Sequence, residues 1–202
     1  MPTRCVVIDP GHGGKDPGAI GTLCGREADV NLAVALALSD RLTRRPLAPG
    51  HWIRVDLTRT SDVYLPLARR AAVANLDHAD LLVSIHCNAA GDPRARGFEV
   101  WTSPGATSAD QAATAIWLAL RAAVPGRRGR VDMVDGDVDK EAHFTVLTAT
   151  RCPAVLVELG FISNVEDDAL LASPEGRAAC VAALEEGIRG WLTDRYELLE
   201  RR

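Results

Sequence analysis

The chain has 202 residues, a length that holds one full domain or two very small ones. Hydrophobic residues make up 47% and charged residues 25%, which is ample for a packed core and excludes intrinsic disorder as the main description. The formal charge of −4 gives no support for binding to bulk nucleic acid, which calls for a basic face.

The predicted elements alternate between short apolar runs and longer helical patterns. Cys5-Val6-Val7-Ile8 reads as a buried strand that stops at Asp9-Pro10-Gly11. Residues 27–45 read as a helix with Val30, Val34, Leu38 and Leu42 on one side, ended by Pro46 and Pro49-Gly50. Strands follow at 52–57, 80–86 and 97–101, with a helix at 65–76 between the first two. A helix at 109–124 closes at Pro125-Gly126. Phe144-Thr145-Val146-Leu147 reads as a short fifth strand and residues 154–158 as a sixth. A last helix spans 174–195, and an arginine-rich tail follows. The strands are continuous apolar runs without period-two alternation, which marks a mostly parallel sheet covered on both faces. The predicted fold is α/β: a single three-layer αβα domain over residues 1–202, with a mostly parallel sheet of about six strands.

No stretch of 18 apolar residues occurs, so no membrane span is expected and no stable membrane association. The N-terminus lacks the long apolar region and cleavage site of a signal peptide, so the chain is expected to be made in the cytoplasm. Five cysteines without a Cys-x-x-Cys pair argue against both a disulfide framework and a cysteine-rich zinc site. They are expected to be mostly reduced, buried thiols.

In an open parallel sheet, ligands bind outside the carboxyl ends of the strands. The residues there include His12 after the first strand, His86 at the end of the third and Glu158 at the end of the sixth. Glu27 opens the first helix, close in sequence to the glycine-rich turn that carries His12. Two histidines and a carboxylate are a common catalytic zinc set. Taken singly, each has an ordinary reading: a hydrogen-bonded strand-end histidine, a turn histidine, a helix-start carboxylate. Their joint placement on one rim is what points to a metal site. Glu158 is either a rim carboxylate paired to an arginine or a general base acting on water. Gly11, Gly13, Gly14, Gly18 and Gly21 invite a phosphate-loop reading, but Lys15 is followed by Asp16-Pro17, and no nucleotide site is expected. The glycines are read instead as letting the backbone turn tightly around an ion.

The run Val7-Ile8-Asp9-Pro10-Gly11-His12-Gly13-Gly14-Lys15-Asp16-Pro17-Gly18-Ala19 resembles the opening motif of the zinc-dependent N-acetylmuramoyl-L-alanine amidases, the amidase-3 family of cell-wall hydrolases. The resemblance continues through Glu27-Ala28-Asp29-Val30-Asn31-Leu32, Leu57-Thr58-Arg59-Thr60, Arg70, and Ser84-Ile85-His86-Cys87-Asn88. It closes with Phe144-Thr145-Val146-Leu147 and Pro153-Ala154-Val155-Leu156-Val157-Glu158-Leu159-Gly160-Phe161. It covers residues 5 to about 192 in the family's order.

The resemblance implies that His12, Glu27 and His86 hold one Zn²⁺ per chain and that Glu158 is catalytic. The implied substrate is the amide joining the lactyl group of N-acetylmuramic acid to L-alanine of the peptidoglycan stem peptide. It further implies a monomeric phage endolysin or bacterial lytic enzyme, acting on the wall after phage-mediated release in the first case. The rival readings are a zinc peptidase cutting elsewhere in the stem peptide and a non-catalytic peptidoglycan-binding module. Two positions depart from the family pattern. Cys87 follows the third ligand where alanine is common, and is expected to point into the core because strand neighbours face opposite sides. His143 stands where a small residue is common, either as an exposed edge residue or near the cleft. Residues 126–142 are too short and too rich in Gly and Asp for the blocking helix of regulated relatives, so activity without an activator is expected, and no wall-binding repeat is read.

Overall fold

The apolar run Cys5-Val6-Val7-Ile8 becomes the middle of β1 (Thr3–Pro10), a strand with neighbours on both sides. The computed structural model describes residues 3–124, 126–133 and 136–200, with side chains as far as Arg195. Pro125 of the Pro125-Gly126 pair and the last two arginines of the tail, Arg201 and Arg202, lie outside the described residues. Along the chain follow α1 (Glu27–Thr43), β2 (Trp52–Leu57), α2 (Leu67–Leu76), β3 (Leu81–Asn88), β4 (Glu99–Thr102) and α3 (Asp110–Ala123). Then come β5 (Lys140–Glu141), α4 (Thr145–Thr148), β6 (Ala154–Phe161), α5 (Val165–Ala172) and α6 (Pro174–Glu200). No described helix is long and apolar enough to cross a membrane.

The six strands form one sheet in the order β2-β1-β3-β6-β4-β5. All neighbouring pairs are parallel except β4 with β6. Side chains alternate between two cores. Val6, Ile8, Val83, Ile85, Val155 and Val157 face the large core under α1, α3, α5 and α6. Val7, Leu82 and Leu156 face a smaller core with Ala74 of α2 and Val146 and Leu147 of α4. That second face is thinly covered, because α4 is a single helical turn. His86 and Glu158 share the face of Leu82 and Leu156, so they emerge where the cover runs out.

Three expectations need correction. Phe144-Thr145-Val146-Leu147 is not a strand: Thr148 and Ala149 donate to the carbonyls of Phe144 and Thr145, closing one helical turn. Val146 and Leu147 are both buried on the same side, which a strand cannot do with adjacent residues. A short apolar run carries too little periodicity to separate the two. The fifth strand is instead Lys140–Glu141. Asp9, His86 and Glu158 lie inside their strands, because pairing continues through the polar residues: Asp9 opposes Ser84 and His86 opposes Glu158. Helix α5 was unread, although Asn164 caps it by accepting from the backbone N–H of Glu166 and Asp167, with three acids in the first turn.

Residues 19–26 carry no strand of their own and are tied to α5. The backbone N–H groups of Leu23 and Cys24 donate to the Asp168 carboxylate at 2.8 and 3.0 Å. Burial pushes the Asp168 carboxyl up, but hydrogen bonds from Cys24 and Leu23 outweigh it and hold it below the usual carboxylate range. A depressed carboxyl stabilises the fold above its unfolded value, and that stability is lost as pH falls through the folded value. Asp168→Asn is therefore expected to cost about 1–3 kcal/mol at pH 7. The gap from wild type should narrow below about pH 4, read by urea denaturation across pH.

Candidate active site

The chain leaves β1 through a turn held by two buried arginines. Arg59 Nε donates to the Pro10 carbonyl at 2.9 Å, and one of its terminal nitrogens donates to the carbonyls of Gly11 and Ala28, each at 2.8 Å. Arg70 donates to Asp9 at 2.8 Å and to the carbonyls of Pro10 and His12, each at 2.7 Å. Asp9, 1% exposed, also accepts from Thr58 and Ser84. This lattice holds His12 at φ 60°, a left-handed conformation that a non-glycine residue seldom adopts.

Glu27 sits at the start of α1, where the helix dipole favours a carboxylate. The backbone N–H groups of Glu27 and Ala28 donate to the carbonyls of Ala19 and Pro17, so the glycine-rich segment itself caps the helix. Ala19 N–H donates to Glu27 Oε2 at 3.0 Å. Glu27 Oε1 faces His12 Nε2 and His86 Nδ1, each at 3.1 Å, with Cys87 N–H at 3.1 Å and the Asn31 amide at 3.3 Å. One donor atom from each of His12, Glu27 and His86 lies within 4.8 Å of the others, a group able to hold a metal ion. The second ring nitrogen of His12 is 2.9 Å from Asp16.

The donor set fits a divalent transition metal. Ligands about 2.0–2.1 Å from a tetrahedral zinc stand about 3.4 Å from one another, close to the 3.1 Å separations here. The surrounding glycines are shaped to the donors. A Cβ on Gly11 would lie 2.2 Å from His86 Cε1, and one on Gly18 would lie 2.5 Å from Glu27 Oε2 and 2.8 Å from His12 Cδ2. These two glycines leave room for the donor side chains, a more specific role than letting the chain turn. A cavity of about 320 Å³ opens beside the group, lined by His12, His86, Arg70, Tyr64, Leu65 and Val146.

The hydrogen bond to Glu27 raises His12 to about 9. Burial pushes Glu27 up, but its hydrogen bonds from His12 and His86 win and hold it well below the usual carboxylate range. Glu158 has no such help. Burial, with the charges of Glu27 and Glu99, pushes it up to about 7 against the opposing pull of His86. Its Oε2 is buried with no hydrogen-bond partner among the described residues. The arginine-paired reading of Glu158 thus finds no ion pair among the described residues.

The four predicted site residues gather at one end of the thinly covered face, with His86 and Glu158 directly paired across β3 and β6. Cys87 is 2% exposed and turns to the opposite side, its Sγ 3.5 Å from Asn31 Oδ1. His143 is exposed. The sequence reading gave no role to Asp9, Asn31, Arg59, Arg70 or Glu99, all buried. A charged residue closing an apolar strand run, as Asp9 and Glu158 both do, was the available signal.

Gly11→Ala is expected to drive the His86 ring out of place and to weaken metal affinity by about 10–100-fold, the scale seen when a ligand loses its orientation. Equilibrium competition with a chromogenic chelator measures this, and circular dichroism checks that the variant folds.

Residues 6–190 match the family model described as N-acetylmuramoyl-L-alanine amidase. The chain is 32% identical to N-acetylmuramoyl-L-alanine amidase AmiA of Escherichia coli over 92% of its length and 75% of the relative's. It is 37% identical to the endolysin of Bacillus phage SPP1, over 84% of this chain and 59% of that one. Against AmiC of Escherichia coli, 29% identical, it spans 54% of the relative's length. Among solved structures, the N-acetylmuramoyl-L-alanine amidase from Clostridium difficile 630 superposes with a TM-score of 0.85 at 31% identity, covering 96% of this chain and 98% of that one. The catalytic domain of CwlV from Paenibacillus polymyxa gives 0.79 at 31% identity, covering 94% and 98%. The match spans most of the chain, from β1 into α6, and the chain belongs to the N-acetylmuramoyl-L-alanine amidase family.

Proposed function

We propose that this chain hydrolyses the amide between the lactyl group of N-acetylmuramic acid and L-alanine of the peptidoglycan stem peptide. The observation that carries the reading is the convergence of His12, Glu27 and His86 on one point, with Glu158 paired beside His86. In this reading His12 Nε2, Glu27 Oε1 and His86 Nδ1 hold one Zn²⁺, which when bound polarises the scissile carbonyl and makes water a nucleophile near neutral pH. Residues 1–202 work as one catalytic domain. In this reading one chain supplies the three donors, and the enzyme works as a monomer.

Glu158 carries the proton work. It takes a proton from the attacking water and delivers it to the nitrogen of the departing alanine, so that the leaving group is a neutral amine. Its buried Oε2, without a hydrogen-bond partner among the described residues, is available for both halves of that exchange. Arg70 and Arg59 hold the backbone that presents His12. Leu65, Tyr64 and Val146 wall the cavity. The likeness to a phage endolysin supports action on the wall after phage-mediated release. Residues 126–133 and 136–142 hold β5 and no helix, consistent with a site that needs no activator.

His12→Ala or His86→Ala is expected to strip zinc and abolish lysis. Chelation should inactivate the wild type, with added zinc restoring it, and full activity in exhaustively chelated protein would end the metal reading. Glu158→Gln should retain zinc while turnover falls by about 10²-fold or more. Loss of zinc in step with activity would make Glu158 a ligand instead. Product analysis on purified peptidoglycan separates the rivals: an amidase releases new L-alanine amino termini, a peptidase cutting elsewhere does not, and a binding module releases nothing.

A further inference from the structure

Glu99 stands beside Glu158 across the antiparallel β4–β6 pair, continuing the row that runs from His86 through Glu158. It is 2% exposed, and both of its oxygens are taken. Oε2 accepts from the Asn88 amide at 3.0 Å and the Trp101 indole at 3.1 Å. Oε1 accepts from Arg130 Nε at 2.5 Å and Lys140 Nζ at 3.0 Å. Glu99 therefore has no oxygen left for a substrate. Its place in the fold is that of a fixed counter-ion that gathers two cations at one spot.

Two cations share the Glu99 carboxylate, one more than its own charge requires. Their side chains are 30% and 20% exposed, and each lies over an aromatic ring, Arg130 over Phe161 and Lys140 over Trp101. A buried carboxylate would be neutralised by one cation. The second, partly exposed, is in place to meet an anion from solution.

The row also has a direction. The metal-holding group is at His86, and Glu158 comes next, where the departing nitrogen receives its proton. Glu99 stands one strand further on, about 4.8 Å beyond, and it draws back to that place the charged ends of Arg130 and Lys140, which come from the chain on the far side of β4. The peptide half of the substrate thus leaves toward Arg130 and Lys140. Two residues of extended chain reach about 7 Å, enough to carry the residue after alanine from Glu158 to the cations. In stem peptides that second residue is joined through its side chain, and its α-carboxyl group is either free or amidated.

We propose that Arg130 and Lys140, held by Glu99, form a subsite for the α-carboxylate of the second stem-peptide residue, and that the enzyme favours stems in which this group is free over stems in which it is amidated. The inference rests on the amidase reading above. A charged carboxylate accepts stronger hydrogen bonds from these cations than a carboxamide does, and the amide's own NH₂ faces them as a competing donor.

The test compares two soluble muropeptides identical except for α-carboxylate or α-carboxamide on the second residue. Wild type is expected to show about tenfold higher kcat/KM on the carboxylate form, carried by KM, the scale of one charged hydrogen bond. Lys140→Met should bring the ratio toward one, and Lys140→Arg should restore it. Calorimetric titration of the zinc-loaded protein with the free tripeptide product and its amidated form should show the same preference without turnover. Equal kcat/KM for both substrates in the wild type would overturn the subsite, as would a preference undiminished in both Lys140→Met and Arg130→Gln. Failure to cut either muropeptide would instead overturn the amidase reading, and the tripeptide titration would then decide the subsite by itself.

Discussion

The site depends on how the chain is held as it leaves β1. Four carbonyls, of Pro10, Gly11, His12 and Ala28, accept from the guanidinium groups of Arg59 and Arg70. Only a planar, many-armed donor can serve several carbonyls and the Asp9 carboxylate from one place, which a lysine's single ammonium cannot. Burying Arg59 beside Arg70 has an electrostatic cost, since burial and the neighbouring charge both push Arg59 below its ordinary value. The hydrogen bonds to carbonyls and to Asp9 offset it. Removing one member of such a buried set typically costs about 3–5 kcal/mol, which ties the geometry of His12 to the stability of the strand beneath it.

From that anchored turn the rest follows by shape and charge. His86 packs against Gly11 where no Cβ intrudes, and Glu27 reaches the same point from the start of α1. The two carboxylates of the site are driven apart by their surroundings. Glu27, with donors on both oxygens, stays ionised, while Glu158, with a buried unpartnered oxygen, is pushed up to about 7. In the proposed reading the two acids thereby take different roles, one as a holder of positive charge and one as an exchanger of protons. Glu99 represents a third state: buried beside Glu158, it is committed to Arg130, Lys140, Asn88 and Trp101.

The rim residues were legible because polar groups stand out at the ends of apolar strand runs. His86 and Glu158 each interrupt such a run, His12 stands in the glycine-rich turn just after one, and Glu27 opens a periodic helix. The single turn of α4 was not legible, since Phe144-Thr145-Val146-Leu147 satisfies strand and helix alike until the sheet beneath chooses. Nor was the real fifth strand, Lys140–Glu141, whose charged residues pair with Trp101 and Thr102 only because β4 is already in place. Arg59 and Arg70 fall in motifs of the family resemblance, but their burial and their carbonyl partners, like the burial of Glu99, carry no local mark.

The amino-acid sequence alone determined the alternation of strands and helices, the mostly parallel sheet, the four rim residues and the family, because these rest on periodicity and on short contiguous motifs. The tertiary structure decided which charges are buried, which carboxylate stays ionised and which takes up a proton, and where Arg130 and Lys140 come to rest. Those outcomes depend on contacts between residues distant in sequence, 31 positions for Arg59 to Ala28 and Arg130 to Glu99 and 61 for Arg70 to Asp9. A charge carries no local mark of its future burial, since desolvation and pairing are set by neighbours that only the folded sheet brings near.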